Sequence, residues 1–427
     1  MRFLKSQLNR QHPEKMVALN PLADERPREI QMYFQAPVRS QQAFSFICNW
    51  LLPLGYLSLL VGLAALPDRS LYHKLFYALV GLPALIALLL KPGTLRVLLR
   101  EPIILLFLAF SAWSLLSVTW SDTDSSVFDL LKRPLYIFML FSACALLSLQ
   151  ASKRLEQTTL LGALLMLPLT VYSLSAFALA WTPGMRMIGS GALDNPLLSS
   201  HIFGFFGTLW LALSMTLPRH QSWVTIAPAL VSVGALMATG SRTPLVAMSL
   251  ACVWLTVVCW NRRSIVLIAT GTAGLVALLL LYPDALLERG TSSRIDIWQI
   301  ALGKILQQPW LGFGFQASLV IDIAGFPIPF SEPHSFALGV LYYTGIVGLT
   351  IWLAMHALAL SHCWRNRNAL LFVIAGSLLI YGLGAGLTEG GGILSRPKEH
   401  WFLTWIPLAL IAALNIAAHQ AQETPLR

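Results

Sequence analysis

Runs of about 20 apolar residues, separated by short polar stretches, recur along most of the chain. Each run is long enough to cross the hydrocarbon core of a bilayer as a helix. No alternating ten-residue pattern typical of a membrane barrel accompanies them. The twelve windows lie near 44–66, 73–90, 102–119, 134–150, 158–181, 199–217, 223–239, 244–260, 264–282, 335–360, 369–387 and 402–418. The pattern therefore predicts an all-α, polytopic membrane protein with about 12 transmembrane helices.

Polar segments divide the chain around these windows. Residues 1–43 are basic and lack the apolar core of a signal peptide, so we expect a mostly disordered cytoplasmic tail. Residues 44–418 are predicted to form a single transmembrane domain, with a large outer loop over 283–334. Residues 419–427 would form a second cytoplasmic tail, because twelve spans return the chain to its starting side.

The composition supports a membrane location and suggests its orientation. Hydrophobic residues make up 56% and charged residues 11% of the chain, far from the ~25% charged of soluble domains. With the tail inside, 18 of the 29 Lys and Arg residues fall on the inner side, as the positive-inside rule expects. The formal charge of +10 is therefore interpreted mainly as a topology signal, not as a nucleic-acid footprint.

Charged residues are scarce inside the predicted spans, which disfavours a proton-coupled carrier or an ion pump. Charges gather instead at the predicted outer rims of the helices. This distribution favours a site that faces outwards at the level of the lipid headgroups.

The outer loop contains one predicted helix, which is too short to span a bilayer. Ser293 followed by Asp296 resembles a capping box, and the helix is predicted to be amphipathic and to lie on the outer surface. Its predicted apolar face contains Ile295, Trp298, Leu302, Ile305 and Leu306. Arg294 lies in the first turn, where a cation opposes the helix dipole. Either an anionic ligand or a salt bridge to Asp296 or Glu288 would compensate the positive charge of Arg294.

Two further outer segments carry candidate chemistry. In Gly-Ser-Arg-Thr-Pro at 240–244, Thr243 is predicted to cap the next helix, so that Arg242 stands beside free N–H groups. That arrangement would bind phosphate, although Arg242 could equally extend towards lipid headgroups. His334 opens the tenth window and is suited to proton transfer, or is simply an interfacial residue.

Secondary candidates lie on the same predicted side. They are Arg186 and Asn195 in one loop, Arg133 before the fourth span and His201 at the start of the sixth. The glycine run after Glu389 shows no Walker pattern, so nucleotide binding is rejected. No group of Asp, Glu or His has a convincing metal-ligand spacing, and no cofactor is expected.

Three of these outer segments, in this order, resemble the O-antigen ligase and polymerase superfamily, and O-antigen ligases most. They are Gly-Ser-Arg-Thr at 240–243, Ser-Arg-Ile-Asp-Ile-Trp at 293–298 with Leu-Gly-Phe-Gly at 311–314, and His334 before an apolar span that contains Gly345-Ile-Val-Gly-Leu. The similarity covers roughly residues 100 to 360. One departure is Ser335, where the family often has Asn after the histidine.

The resemblance implies a glycosyltransferase of the bacterial inner membrane with its active site on the periplasmic side. Its donor would be an O-antigen glycan on undecaprenyl pyrophosphate and its acceptor a sugar hydroxyl of lipid A-core, in lipopolysaccharide biosynthesis. Transfer would invert the anomeric centre without metal or nucleotide. Arg242 and Arg294 would bind the pyrophosphate and His334 would be catalytic. An O-antigen polymerase or a protein O-oligosaccharyltransferase would use the same donor, and a lipid or glycan transporter fits less well.

Overall fold

The computed structural model describes residues 38–150, 152–281, 293–392 and 394–423, which fold almost entirely as helices. Residues 1–37 of the predicted basic tail lie outside this part of the chain. The helices are α1 (Arg39–Ala65), α2 (Arg69–Leu90), α3 (Gly93–Leu98), α4 (Pro102–Trp120), α5 (Val127–Gln150), α6 (Lys153–Ala180), α7 (Pro196–Thr216), α8 (Arg219–Ala238), α9 (Arg242–Cys259), α10 (Arg262–Leu281), α11 (Arg294–Ile305), α12 (Phe336–Arg365), α13 (Leu370–Gly386), α14 (His400–Leu403) and α15 (Trp405–Glu423).

The helices confirm the predicted fold class. Within the described residues, nine helices are long and apolar enough to cross a membrane, and α13 and α15 are shorter apolar helices. All twelve predicted windows overlap a helix, the ninth window being α10. The chain is therefore an all-α, multi-pass membrane protein.

The centre of the bundle is formed by helices that are buried around most of their circumference. In α7, 83% of the residues in the most apolar stretch are buried. In α15, the residues are buried continuously from Trp405 to Leu414. Helices α8, α9 and α13 pack against α7, while α15 packs against α5. Peripheral helices such as α6 expose leucines, including Leu164 and Leu179, which is the orientation expected of helices that face lipid.

Polar contacts group the loops at two ends of the bundle. At one end, Arg69 pairs with both Asp194 and Glu399, and so joins three loops that were predicted to lie outside. At the other end, Arg263 donates to the carbonyl of Leu217 at 2.8 Å, which joins two loops predicted to lie inside. Each of these contacts thus joins loops that the alternating topology places on the same side.

The segment after α11 docks against a break in α12. Gly345 has φ 64° within α12, and the backbone N–H groups of Phe313 and Gly314 donate to the carbonyls of Tyr342 and Tyr343 at 2.8 and 3.0 Å. A Cβ atom on Gly345 would overlap the carbonyl oxygen of Trp310. Glycine is needed here because the backbones meet directly in a conformation that L residues rarely adopt.

Helix α11 buries a face that coincides with the predicted one only in part, at Trp298 and Ile305. Its buried residues are Ile297, Ala301 and Ile305, which pack with Ala317, Leu319 and Ile321 of the following loop and with Tyr342. Ile295, Leu302 and Leu306 of the predicted apolar face are 47%, 43% and 75% exposed. The prediction was wrong at these positions because the helix packs on the folded loop, and its second apolar stripe points away from the protein.

Candidate active site at one end of the helix bundle

Arg294 is held at the start of α11 by the loop that follows α13. Its Nε donates to the carbonyl of Thr388 at 2.9 Å, and its Nη2 forms an ion pair with Glu389. Among the described residues the anion that pairs with Arg294 is Glu389, 95 positions away, and not Asp296. Glu288, the other carboxylate considered from the sequence, lies outside the described residues. The predicted capping box is also wrong, since Ser293 has φ 56° and its side chain makes no capping bond.

Arg242 lies next to this loop because Thr243 contacts it. The hydroxyl of Thr388 donates to the hydroxyl of Thr243 at 2.9 Å, so one residue joins the starts of α9 and α11. Helix α9 begins at Arg242 with Ser241 at the N-cap position, two residues before the predicted cap at Thr243. The structure thus brings the two predicted phosphate-binding arginines to one loop.

Arg186 supports the turn that presents Arg242. Its Nε donates to the carbonyl of Thr239 at 2.7 Å and its Nη2 to the hydroxyl of Ser241 at 2.9 Å. Gly240, between them, has φ 61°. The guanidinium of Arg186 therefore fixes the turn from a neighbouring loop.

His334 stands directly before α12 with its ring half-buried. Ser335 is the N-cap of α12, and its side chain accepts from the N–H of Leu338. Asn and Ser are similarly good N-caps, so the departure from the family's Asn preserves the cap. The ring of His334 lies edge-on to that of Phe330 at 5.7 Å. Burial and the charge of Arg294 lower the pKa of His334, while Glu332 raises it. The imidazole is consequently neutral near pH 7.

Backbone strain is concentrated around this site. Four non-glycine residues in the described segments have positive φ, and three of them are Ser293, Gln316 and His334, at 56°, 62° and 47°. Such conformations cost of order 1–3 kcal/mol each and cluster at functional sites. The strain sets the directions of the backbone at Arg294 and His334.

Two further histidines meet Glu389. His201 on α7 and His400 on α14 each place a ring nitrogen within 4.8 Å of the other and of a Glu389 carboxylate oxygen. The ring nitrogens of both histidines are buried and have no hydrogen-bond partner among the described residues. Two imidazoles and a carboxylate are a donor set that zinc accepts. Arg294, however, already occupies the carboxylate and would repel a metal cation there.

Glu389 has an unusual environment for a carboxylate. Its residue exposure is 3%, and burial raises its pKa to about 7, against the lowering effect of Arg294 and with a further rise from Glu332. The sequence alone did not identify Glu389 as a site residue, because it stands out only as the residue before a glycine run. The polar character of Thr388-Glu389 at the end of an apolar span was the available signal.

A cavity of about 340 Å³ is lined in part by Glu332, two residues before His334. We call it the basic cavity; its lining residues are Ser125, Asp129, Arg133, Gln316, Glu332, Gly392, Leu394, Ser395, Arg396 and Lys398. Arg133, a secondary candidate from the sequence, lies here, with its guanidinium 5.6 Å from the centre of the Phe315 ring. The loop that carries Glu389 therefore contributes to the arginine site and to the basic cavity.

Asn195 has a structural task in the described fold. Its Oδ1 accepts from the N–H groups of Leu197 and Leu198 at 2.9 and 3.2 Å and caps α7. His201 lies in the second turn of the same helix, so the cap helps to place His201 beside Glu389.

Comparison with known proteins gives the family. A family profile described as O-antigen ligase matches residues 227–353, which include Arg242, Arg294 and His334. The chain is 43% identical over 375 residues to an O-antigen ligase of Pseudomonas aeruginosa, and the match covers 87% of this chain and 92% of that protein. It is 26% identical over 220 residues to a general O-oligosaccharyltransferase of Acinetobacter baylyi, which covers 43% of this chain and 36% of that protein.

The long match to the Pseudomonas protein and the profile match over the arginine and histidine segments agree with the bundle described above. The chain belongs to the O-antigen ligase family, membrane-embedded glycosyltransferases that act on lipid-linked glycans.

Proposed function

We propose that this protein transfers an O-antigen glycan from undecaprenyl pyrophosphate to a sugar hydroxyl of lipid A-core. The observation that carries the proposal is the meeting of the two arginine segments at Thr388, with Arg294 close enough to His334 to lower its pKa. Two guanidinium groups can stabilise a departing pyrophosphate, and a neutral imidazole can accept the proton of the acceptor hydroxyl. The name of the Pseudomonas relative and the length of the match to it favour a ligase over a polymerase or a protein oligosaccharyltransferase.

Arg242 and Arg294 would bind the pyrophosphate of the donor. When the bond between the anomeric carbon and the pyrophosphate oxygen breaks, the electron pair stays on that oxygen. Guanidinium groups can donate in a fork to such oxygens and stabilise the developing charge. Removing one such preorganised donor typically lowers kcat by about 10²–10³-fold. Arg294 would exchange Glu389 for the phosphate oxygens when the donor binds.

His334 would act as the general base on the acceptor. The acceptor hydroxyl attacks the anomeric carbon from the face opposite the pyrophosphate, and its proton passes to a ring nitrogen of His334. The lowered pKa keeps the ring neutral and able to accept that proton at pH 7. Attack from the opposite face inverts the anomeric centre, and no step needs a nucleotide.

The site would lie on the periplasmic side of the bacterial inner membrane, with both termini in the cytoplasm. Its residues come from the loops that were assigned to the outer side by the positive-inside rule. A reporter enzyme that works only in the periplasm should then be active when it is fused near residue 300, and a reporter that works only in the cytoplasm should be inactive there. A cytoplasmic signal at that position would overturn the orientation.

The deciding experiment is reconstitution of the purified protein with undecaprenyl pyrophosphate-linked O-antigen and lipid A-core. Glycan on lipid A-core supports the ligase, longer chains on undecaprenyl would mean a polymerase, and glycan on protein an oligosaccharyltransferase. His334→Ala should lose at least about 100-fold in rate and keep its thermal unfolding profile. His220→Ala, an exposed histidine at the other end of the bundle, is the matched control. Full activity of His334→Ala would remove the catalytic assignment.

A further inference from the structure

The basic cavity holds more positive charge than its own carboxylates neutralise. Arg133, Arg396 and Lys398 line it, and none of the three forms an ion pair within the described segments. Two carboxylates, Asp129 and Glu332, line the cavity against these three cations, and Asp129 is also paired with Lys132. An anion bound in the cavity would relieve this imbalance.

The side chains that line the cavity are held in place by their surroundings. Arg133 is half-buried and is positioned by the face of the Phe315 ring at 5.6 Å, an arrangement in which the ring attracts a cation. Lys398 is also half-buried, and burial is the main cause that lowers its pKa. Gln316, held at φ 62°, adds a neutral hydrogen-bonding group. The volume of about 340 Å³ lies at the small end of the ~300–1,000 Å³ typical of ligand sites.

The position of the cavity relates it to the acceptor rather than to the donor. Glu332 lines the cavity and stands two residues before His334, a chain distance of at most roughly 7 Å. A glycan that has one group in the cavity can therefore reach the proposed base, which must meet the acceptor hydroxyl. The donor pyrophosphate is assigned to a different pair of cations, Arg242 and Arg294.

We propose that the basic cavity binds an anionic phosphate substituent on the acceptor glycan next to the accepting sugar. Arg133, Arg396 and Lys398 would bind this substituent and so bring the acceptor hydroxyl to His334. This inference rests on the proposed ligase function and adds a determinant of acceptor choice. The groups take no part in bond breaking, so they act through acceptor binding.

The test compares steady-state transfer by the full-length protein in nanodiscs with phosphorylated lipid A-core and with the same acceptor after phosphatase treatment. Arg396→Gln alone and Arg133→Gln with Arg396→Gln are the variants, since Arg396 is exposed and its replacement leaves the core intact. Lys74→Gln, an exposed lysine at the same end of the bundle, removes an equal charge outside the cavity and is the control.

The acceptor KM of the double variant should rise about 10- to 100-fold, as expected when charge-assisted hydrogen bonds are lost. Its donor KM and its kcat at saturating acceptor should stay within about twofold of the wild type, because the pyrophosphate site and the base are intact. The wild type should lose affinity for the phosphatase-treated acceptor, and the variant should discriminate little between the two acceptors.

Two results would overturn the inference and leave the proposed ligase function in place. If a phospholipid headgroup fills the cavity, activity will depend on the anionic lipid content of the nanodisc and the acceptor KM will not respond to phosphatase. An unchanged acceptor KM in the variants, in an active wild-type background, would also refute it while leaving the ligase function intact. Wild-type protein that transfers nothing to lipid A-core would instead overturn the proposed function, and this inference with it.

Discussion

Replacing Glu389 by glutamine should remove a pH dependence from the stability of the protein. The carboxylate is buried against Arg294, His201 and His400, and its pKa rises from 4.5 to about 7. At 1.36 kcal/mol for each pKa unit, its charged form is disfavoured in the folded protein by about 3 kcal/mol. Arg294 offsets only part of the cost of burying this charge.

The sign follows from proton binding. Between about pH 4.5 and 7 the folded protein keeps the Glu389 proton that the unfolded chain has released. The stabilisation from the protonated carboxyl is complete below the unfolded pKa and is lost as the pH rises through 7. Glu389→Gln does not titrate, so its stability relative to the wild type should increase by up to about 3 kcal/mol from pH 5 to 8.

Thermal unfolding of both proteins in detergent, followed by the fluorescence of the 14 tryptophans, measures this difference. The effect of His334, whose pKa is lowered, is common to both proteins and cancels in the comparison. Asp124→Asn, an exposed carboxylate, is the control and should leave the pH dependence unchanged. A difference that stays constant from pH 5 to 8 would refute the reasoning. A variant that loses most stability at pH 8 would show that the charged pair with Arg294 is net stabilising.

The remaining predictions concern the fold, the donor site and metals. Gly345→Ala should lower the free energy of unfolding by at least about 1 kcal/mol, because its methyl group would overlap the Trp310 carbonyl in a backbone conformation that alanine disfavours. Gly271→Ala, which has open space around the new methyl group, is the control and should not lower it. Equal unfolding temperatures of the two variants would contradict this prediction. Arg294→Lys should raise the donor KM about tenfold or more, since lysine cannot donate in a fork, and a normal donor KM would exclude pyrophosphate binding there. Transfer should survive EDTA, and loss of activity that a divalent metal restores would contradict transfer without a metal.

Much of the fold could be predicted because membrane spans are encoded locally. An apolar run of about 20 residues determines a spanning helix whatever lies around it, since the backbone must satisfy its hydrogen bonds within the segment. The twelve windows accordingly overlap helices, and the loops that Arg69 and Arg263 join belong in each case to one predicted side. The candidate residues at the loop ends were equally visible, because charge is conspicuous in an apolar chain.

Local signals failed where a neighbouring segment competes. Thr243 was predicted as a cap, yet its hydroxyl bonds to Thr388 and the helix begins at Arg242. The buried face of α11 was predicted from a stripe that includes Leu302, but the loop that covers the helix selected the stripe with Ala301. In both cases the pattern was compatible with two arrangements, and a distant segment selected one.

The sequence by itself determined the membrane class, the number of apolar segments, and the arginines and histidine of the candidate site. Only the tertiary structure identified Glu389 as the partner of Arg294, joined Arg242 to the same loop through Thr388, and gathered Arg133, Arg396 and Lys398 around one cavity. The physical reason is that hydropathy acts over one helix length, whereas these contacts join side chains about 95 to 265 positions apart. Burial and charge compensation at such contacts depend on how the helices pack, and that packing cannot be predicted from composition.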